Sequence, residues 1–179
     1  QLMVAETRRG LSRQELHDRG IDTIGICPRC SVCWPSAVTV CPDDGGLPDG
    51  TRVLPHLVAG RFRLKRLLGE GGMGSVLRAS DEKLGREVAI KIVRPDAMRS
   101  PGMRARFERE AQIVARMRHP NVVELIDTGE LEDGAAFIVM ELLTGKDLEH
   151  LLADAGTGSL SEVVSLITQA GAALTAAHE

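Results

Sequence analysis

LGEGGMGSV, residues 68–76, places four glycines within six positions, Gly69, Gly71, Gly72 and Gly74. Glycine loses more conformational freedom on folding than any other residue, so such a cluster marks an unusual backbone shape or the close approach of a ligand. Gly69, Gly71 and Gly74 have the spacing G-x-G-x-x-G, and three kinds of phosphate loop compete for it. A Walker A loop requires Lys followed by Ser or Thr after its last glycine; Ser75-Val76 follows Gly74 instead. A dinucleotide fingerprint requires a helix to start at the glycines, so that its amino terminus meets the pyrophosphate. Glu87 lies at a tempting distance for a ribose-binding acid, but the residues after Gly74 are strand formers. The remaining option is an antiparallel flap, strand–glycine turn–strand, folded over the phosphates of ATP. It expects a lysine on the following strand.

Val88-Ala89-Ile90-Lys91 supplies that lysine, one of only four in the chain. A charge among apolar neighbours needs a partner; the alternative is an edge lysine whose head reaches water. Beyond Ser100-Pro101, a cap and first-turn proline, a helix is expected to about Arg118 and to stop at His119-Pro120. On it Met103, Phe107, Val114 and Met117 form an apolar stripe, and Glu110 falls inside the stripe. An acid there calls for a cation, and Lys91 is the candidate; otherwise Glu110 lies on the stripe's edge in water.

RFRLKRLL (61–68), SVLRAS (75–80) and REVAIKIV (86–93) read as strands, as do NVVELIDTG and AAFIVMEL, the last two joined by an Asp133-Gly134 turn. A short helix at 12–19 has Ser12 and Glu15 at capping-box spacing, with Leu11 and Leu16 as a staple and Gly20 at its end. After Thr144-Gly145 the chain turns helical. Its last helix reaches Glu179 without a stop signal, from which the chain as given is expected to be cut. His17, His56 and His150 are isolated, and His119 reads as a helix-end residue. The arginines at 99, 104, 106, 109, 116 and 118 read as a solvated face.

With 43% hydrophobic and 26% charged residues the composition is that of a globular protein. A net charge of −3 and only three Phe, one Trp and no Tyr argue against a nucleic-acid partner. No apolar run is read as long enough to span a membrane, and QLMVAETRRG lacks the apolar stretch of a signal peptide; a cytoplasmic location is expected. Oligomeric state is not legible.

Taken together, Leu68–Val76, Val88-Ala89-Ile90-Lys91, Arg106-Phe107-Glu108-Arg109-Glu110-Ala111, His119-Pro120-Asn121-Val122-Val123 and Phe137-Ile138-Val139-Met140-Glu141 resemble a bacterial Hanks-type serine/threonine protein kinase over residues 61–179. The resemblance implies an α+β fold: a five-stranded antiparallel amino-terminal lobe with one long helix (61–143), then the first helices of the larger lobe (144–179). It implies ATP, magnesium and a protein substrate. Its loop would be Leu68, Gly69, Glu70, Gly71, Gly72, Met73, Gly74, Ser75 and Val76, with backbone N–H groups around Gly71 to Gly74 over the β- and γ-phosphates. Lys91 would hold the α- and β-phosphates and pair with Glu110. Leu68, Val76 and Ala89 would enclose the adenine, Met140 would be the gatekeeper, Glu141 and Leu143 the hinge, and Asp147 a ribose contact. The H-R-D-x-x-x-x-N and D-F-G motifs of the family do not occur, so the base and the magnesium ligands are expected beyond residue 179, and residues 1–179 alone are expected to transfer no phosphate. The rival is a pseudokinase or scaffold that binds nucleotide or partners without catalysis.

Ahead of this lie a segment with the short helix (1–22), a cysteine-bearing stretch (23–50) and a linker (51–60). Cys27, Cys30, Cys33 and Cys41 have the spacing C-x2-C-x2-C-x7-C. The stretch resembles a zinc-ribbon knuckle pair found ahead of some bacterial kinases, the second knuckle reading C-P-x-D-G. Structural zinc is expected on Cys27, Cys30 and Cys41, with Cys33 or Asp44 as the fourth ligand. An iron–sulfur cluster fits the last spacing poorly, a disulfide is disfavoured beside a cytosolic ATP site, and free thiols are the remaining alternative.

Overall fold

The computed structural model describes residues 11–98 and 101–178. Ser100, read as a cap, and residues 1–10 lie outside the described residues. Ser12 caps helix α1 (Arg13–Asp18) through the full capping box with Glu15, and Gly20 ends it at φ 73°. Strands β1 (Ile24–Ile26) and β2 (Cys33–Pro35) form a small antiparallel hairpin that carries the cysteines.

The second sheet is antiparallel, with spatial order β3-β4-β5-β6-β8-β7. Its strands are β3 (Leu57–Val58), β4 (Phe62–Gly71), β5 (Gly74–Asp81), β6 (Arg86–Val93), β7 (Leu125–Glu130) and β8 (Ala136–Glu141). Five of the six strands are those expected from the sequence; the sixth, β3, lies in the stretch read as a linker and pairs Leu57 with Arg63 and Val58 with Phe62. Helix α2 (Pro101–Arg116) sits beside β7. Helices α3 (Leu148–Ala155) and α4 (Leu160–His178) follow.

Register divides the sheet into two faces, because side chains alternate along a strand and directly paired residues share a face. Leu77, Ile90 and Val139 are paired in sequence across β5, β6 and β8, and all three are fully buried. Leu64, Ala79, Val88, Ile92 and Phe137 complete that face, and Ile24, Ile26 and Cys33 of the cysteine hairpin pack into the same core. The hairpin and the sheet therefore share one apolar interior. The opposite face presents Val76, Lys91 and Ile138, again paired in sequence, beside Ala89 and Met140.

The β5–β6 turn is organised by Asp81, which is fully buried. Its carboxylate accepts hydrogen bonds from Arg61 Nε at 2.9 Å and Nη2 at 2.7 Å, and from the backbone N–H groups of Lys83 and Leu84 at 3.1 and 3.2 Å. Arg61 first, then the turn amides, hold its carboxyl down to about 2, below the ordinary 3.8. A folded-state value below the unfolded one stabilises the fold above the unfolded pKa, and this contribution is lost as pH falls through the folded one. Stability should accordingly drop between about pH 4 and pH 2, and Asp81→Asn should flatten that part of the curve in urea titrations run at each pH.

Only one glycine of the loop is required by the fold itself. Gly74 has φ 152°, and a Cβ there would lie 2.0 Å from the Ile92 carbonyl oxygen on the neighbouring strand. Gly74→Ala should cost more than about 1 kcal/mol, read as a lower urea midpoint at unchanged slope. Added Cβ atoms at Gly69, Gly71 and Gly72 would meet nothing within 4 Å, and none of the three has a positive φ.

The last helix departs from the sequence reading. Leu160–His178 is 19 residues long with a mean hydropathy of 1.3 and no buried residue, so by length and composition it qualifies as a membrane span. Small and apolar residues dominate it, and Glu162 and His178, its charged or titratable groups, sit in its end turns. Gln169 on its flank accepts a 2.8 Å hydrogen bond from Asn121, which ties the helix to the segment ahead of β7.

Candidate functional site

The glycine turn joins β4 to β5, with Gly71 paired to Gly74 at its tip. A register shift between Leu67 and Gly69 inserts an extra residue, and such a bulge bends and twists a strand. Leu67 packs against the core on the buried face, whereas Leu68 is about half exposed, at 48%. Met73 at the tip is exposed too, and its carbonyl accepts a 3.0 Å hydrogen bond from Arg94 N–H. Ser75 turns inward and is buried. The glycine turn thus closes the end of the strands that carry Val76 and Lys91, and Cβ atoms added at Gly69, Gly71 and Gly72 would enter open space.

Val76 lies directly across from Lys91, and Ala89 directly across from Met140. Ala89 is buried at 5% exposure, and Val76, Lys91 and Met140 are half-buried. The result is a largely apolar face with one ammonium group on it. Glu141 closes β8: its N–H donates to the Glu124 carbonyl at 3.0 Å and its carboxylate accepts from Glu124 N–H at 2.8 Å. Leu143 is exposed just beyond. Asp147 caps α3, its carboxylate accepting from His150 N–H at 2.8 Å and meeting the His150 ring at 2.7 Å. Those bonds, the backbone one first, lower its pKa. Glu110 belongs to α2, and its side chain lies outside the described residues.

The cysteine hairpin forms a second site. Cys27, Cys30, Cys41 and Asp44 bring three sulfurs and a carboxylate oxygen within 4.8 Å of one another. Two loops build it, and they superpose residue for residue in their bonding. In Cys27-Pro28-Arg29-Cys30-Ser31, Ser31 N–H donates to the Cys27 carbonyl at 2.9 Å, and Cys27 N–H donates to Val32 at 2.9 Å. In Cys41-Pro42-Asp43-Asp44-Gly45, Gly45 N–H donates to the Cys41 carbonyl at 2.9 Å, and Cys41 N–H donates to Gly46 at 2.7 Å. Ser31 and Gly45 both adopt left-handed φ, 62° and 70°. Asp44 therefore occupies in the second loop the place that Cys30 holds in the first. The repeat C-P-x-C and C-P-x-D was a signal in the sequence that could have chosen between Asp44 and Cys33.

Cys33 is not part of the cluster. Its side chain is buried at 6% exposure in the apolar core, where burial pushes the thiol up to about 12. Its sulfur belongs to the core and not to the group formed by Cys27, Cys30, Cys41 and Asp44. Asp44 lies within the cluster, where the Gly46 N–H first, then the neighbouring thiols, lower its carboxyl to about 2. The Cys30 and Cys41 sulfurs are 3.7 Å apart, far beyond a disulfide bond of about 2.05 Å. Tetrahedral zinc with Zn–S bonds of about 2.3 Å spaces its sulfurs about 3.8 Å apart, so the donor set fits this ion.

Residues 62–179 match the model of the protein kinase domain. The chain belongs to the protein kinase domain family. It is 37% identical over 131 residues to the serine/threonine-protein kinase pkn3 of Myxococcus xanthus, covering 73% of this chain and 24% of that protein. Against the serine/threonine-protein kinase PknA of Mycobacterium tuberculosis the identity is 38% over 125 residues, 68% of this chain and 29% of that protein. Among solved structures, the M. tuberculosis PknI kinase domain aligns with a TM-score of 0.62 at 31% identity, over 68% of this chain and 49% of that one. The chain is thus of the bacterial serine/threonine kinase type, and it spans about a quarter of the length of these curated relatives. The match begins at β4 and leaves the cysteine hairpin outside it.

Proposed function

We propose that this chain supplies the ATP-binding half of a serine/threonine protein kinase and that the intact protein transfers the γ-phosphoryl group of Mg-ATP to a Ser or Thr hydroxyl of a protein. The observation that carries this reading is the register of β5, β6 and β8, by which Lys91 and Val76 share one face of the strands that follow a glycine turn, three of whose glycines the fold does not require. Phosphoryl transfer asks for positioning and neutralisation of phosphate charge rather than covalent chemistry from the protein. The backbone N–H groups of Gly71, Gly72, Met73 and Gly74 would cover the β- and γ-phosphates, with Gly69, Glu70 and Ser75 completing the flap. Lys91 would hold the α- and β-phosphates and pair with Glu110. Leu68, Val76, Ala89 and Met140 would enclose the base, Glu141 and Leu143 would bond its edge, and Asp147 would reach the ribose by giving up its cap. Magnesium supplies charge neutralisation when bound; in this reading its ligands and the base follow residue 179, and residues 1–179 alone transfer nothing. Helices α3 and α4 open the larger lobe in this reading, whose cytoplasmic setting is likewise proposed. Incubation of the intact protein with magnesium and γ-labelled ATP tests the reading: label is expected on Ser or Thr of the kinase itself or of a generic basic substrate protein. Nucleotide binding with no transfer would favour the scaffold reading instead.

For the cysteine hairpin we propose one structural zinc on Cys27, Cys30, Cys41 and Asp44. The residues 23–50 form the metal module in this reading, 51–60 tie it to the kinase lobe, and 61–143 form that lobe. Elemental analysis of protein purified without chelator should find about one zinc per chain.

A further inference from the structure

We propose that the cysteine module is a clamp on the nucleotide loop, so that metal occupancy of Cys27, Cys30, Cys41 and Asp44 sets the affinity of the glycine turn for ATP. The proposal rests on the zinc and nucleotide readings above and adds a coupling between them. Its basis is the outer edge of β4, the strand that ends in the glycine turn. β5 pairs with the inner edge of β4 along its whole length. The outer edge would present unpaired backbone groups, and the segment before β4 takes it up step by step. Leu57 and Val58 pair with Arg63 and Phe62. The His56 carbonyl accepts from Leu64 N–H at 3.0 Å. Val32 then bridges to Arg66, and the Ser31 carbonyl accepts from Leu67 N–H at 2.8 Å. The Cys30 carbonyl accepts from Arg66 Nε at 3.1 Å. At the turn itself, Arg52 makes a two-pronged ion pair with Glu70, with Nε to Oε1 at 2.9 Å.

The two carbonyls that hold Arg66 and Leu67 belong to the first metal loop, and one of them is that of a ligand, Cys30. Ser31 reaches Leu67 only because it adopts φ 62°, a conformation that costs a non-glycine residue and persists only where its surroundings impose it. The bond from Ser31 N–H to Cys27 and the convergence of Cys27 and Cys30 on one ion would impose it. Without the ion the four donors lose their common centre, Ser31 relaxes, and the base of the glycine turn is released. ATP would then have to order a looser loop, and it would bind more weakly. Coupling between two ligands is reciprocal, so nucleotide should also tighten the hold on zinc.

The test uses the intact protein, zinc-loaded or stripped with a chelator, and a non-hydrolysable ATP analogue with magnesium. Stripping should weaken analogue binding about fivefold, and saturating analogue should raise zinc affinity by the same factor. Hydrogen exchange of the Leu67 to Glu70 amides should rise on stripping. In an Arg66→Ala variant, which removes the side-chain tether to Cys30 and keeps the Ser31–Leu67 backbone bond, zinc content should be unchanged and analogue binding in the loaded protein should weaken. Equal analogue affinity with and without zinc overturns the clamp while both underlying readings stand. Absence of zinc overturns it through the metal reading, and absence of analogue binding to the loaded protein through the nucleotide reading.

Discussion

Lys91→Met should reduce phosphoryl transfer by the intact protein at least about a hundredfold, the scale seen when one preorganised charge-stabilising donor is lost from a transition state. Lys91 stands at the centre of β6, paired with Val76 on one side and Ile138 on the other. Among the described residues both cross-strand neighbours are apolar, and methionine matches the length of the apolar stem. The substitution should therefore leave thermal unfolding within the range of an ordinary surface change, about 0.5 kcal/mol, while removing the only charge that the sheet places between Val76 and Ile138. The informative readout is the pair of measurements: γ-labelled ATP transfer, and a melting curve. A variant that keeps near wild-type turnover removes the assigned role from Lys91. A variant that unfolds shows the ammonium to be part of the fold, and Lys91→Arg then separates charge from shape.

The glycine turn and its flanking strands were legible because their signals are local. The β-branched, apolar run of REVAIKIV suits a strand, and the structure returns those residues, Arg86–Val93, as β6. Ser12 and Glu15 form their capping box because both partners lie within one turn. What escaped the sequence is set at a distance. Strand β3 is two residues long and exists because β4 offers an edge, not because Leu57-Val58 has a pattern of its own. The packing of Ile24 and Ile26 against the sheet, which makes the cysteine hairpin and the kinase lobe one interior, has no periodic signature either. No long run of α4 is continuously apolar, because Ser, Thr, Gln and Gly interrupt it, yet averaged over its length it reaches the hydropathy of a span. The role of Cys33 was hidden by its chemistry: a cysteine two residues from a knuckle looks like a ligand, and strand alternation instead turns it into the core.

The metal site separates these two kinds of cysteine in one experiment. Cys41→Ala should abolish zinc binding and Cys33→Ala should retain about one zinc per chain, although both thiols are buried, at 2% and 6% exposure. In zinc-finger peptides structural zinc is worth about 10–16 kcal/mol of apparent binding free energy; here the hairpin also packs on the sheet, so only part of such a figure is folding free energy. Ile24 and Ile26 reach the sheet from the strand just ahead of Cys27, so loss of the ion should spread past the knuckles. Cys41→Ala should expose the Phe62 and Leu64 edge of the core and lower the melting temperature of the whole amino-terminal lobe. Cys33→Ala removes one buried sulfur and should cost far less, with the metal as retained ballast against unfolding. Asp44→Cys is the third arm. Asp44 and Cys30 hold equivalent places in two loops with the same hydrogen bonds, so a thiolate should replace the carboxylate and hold zinc at least as tightly. Zinc lost from Cys33→Ala but kept in Asp44→Ala would reverse the assignment. It would require the hairpin to turn Cys33 out of the core when the ion binds.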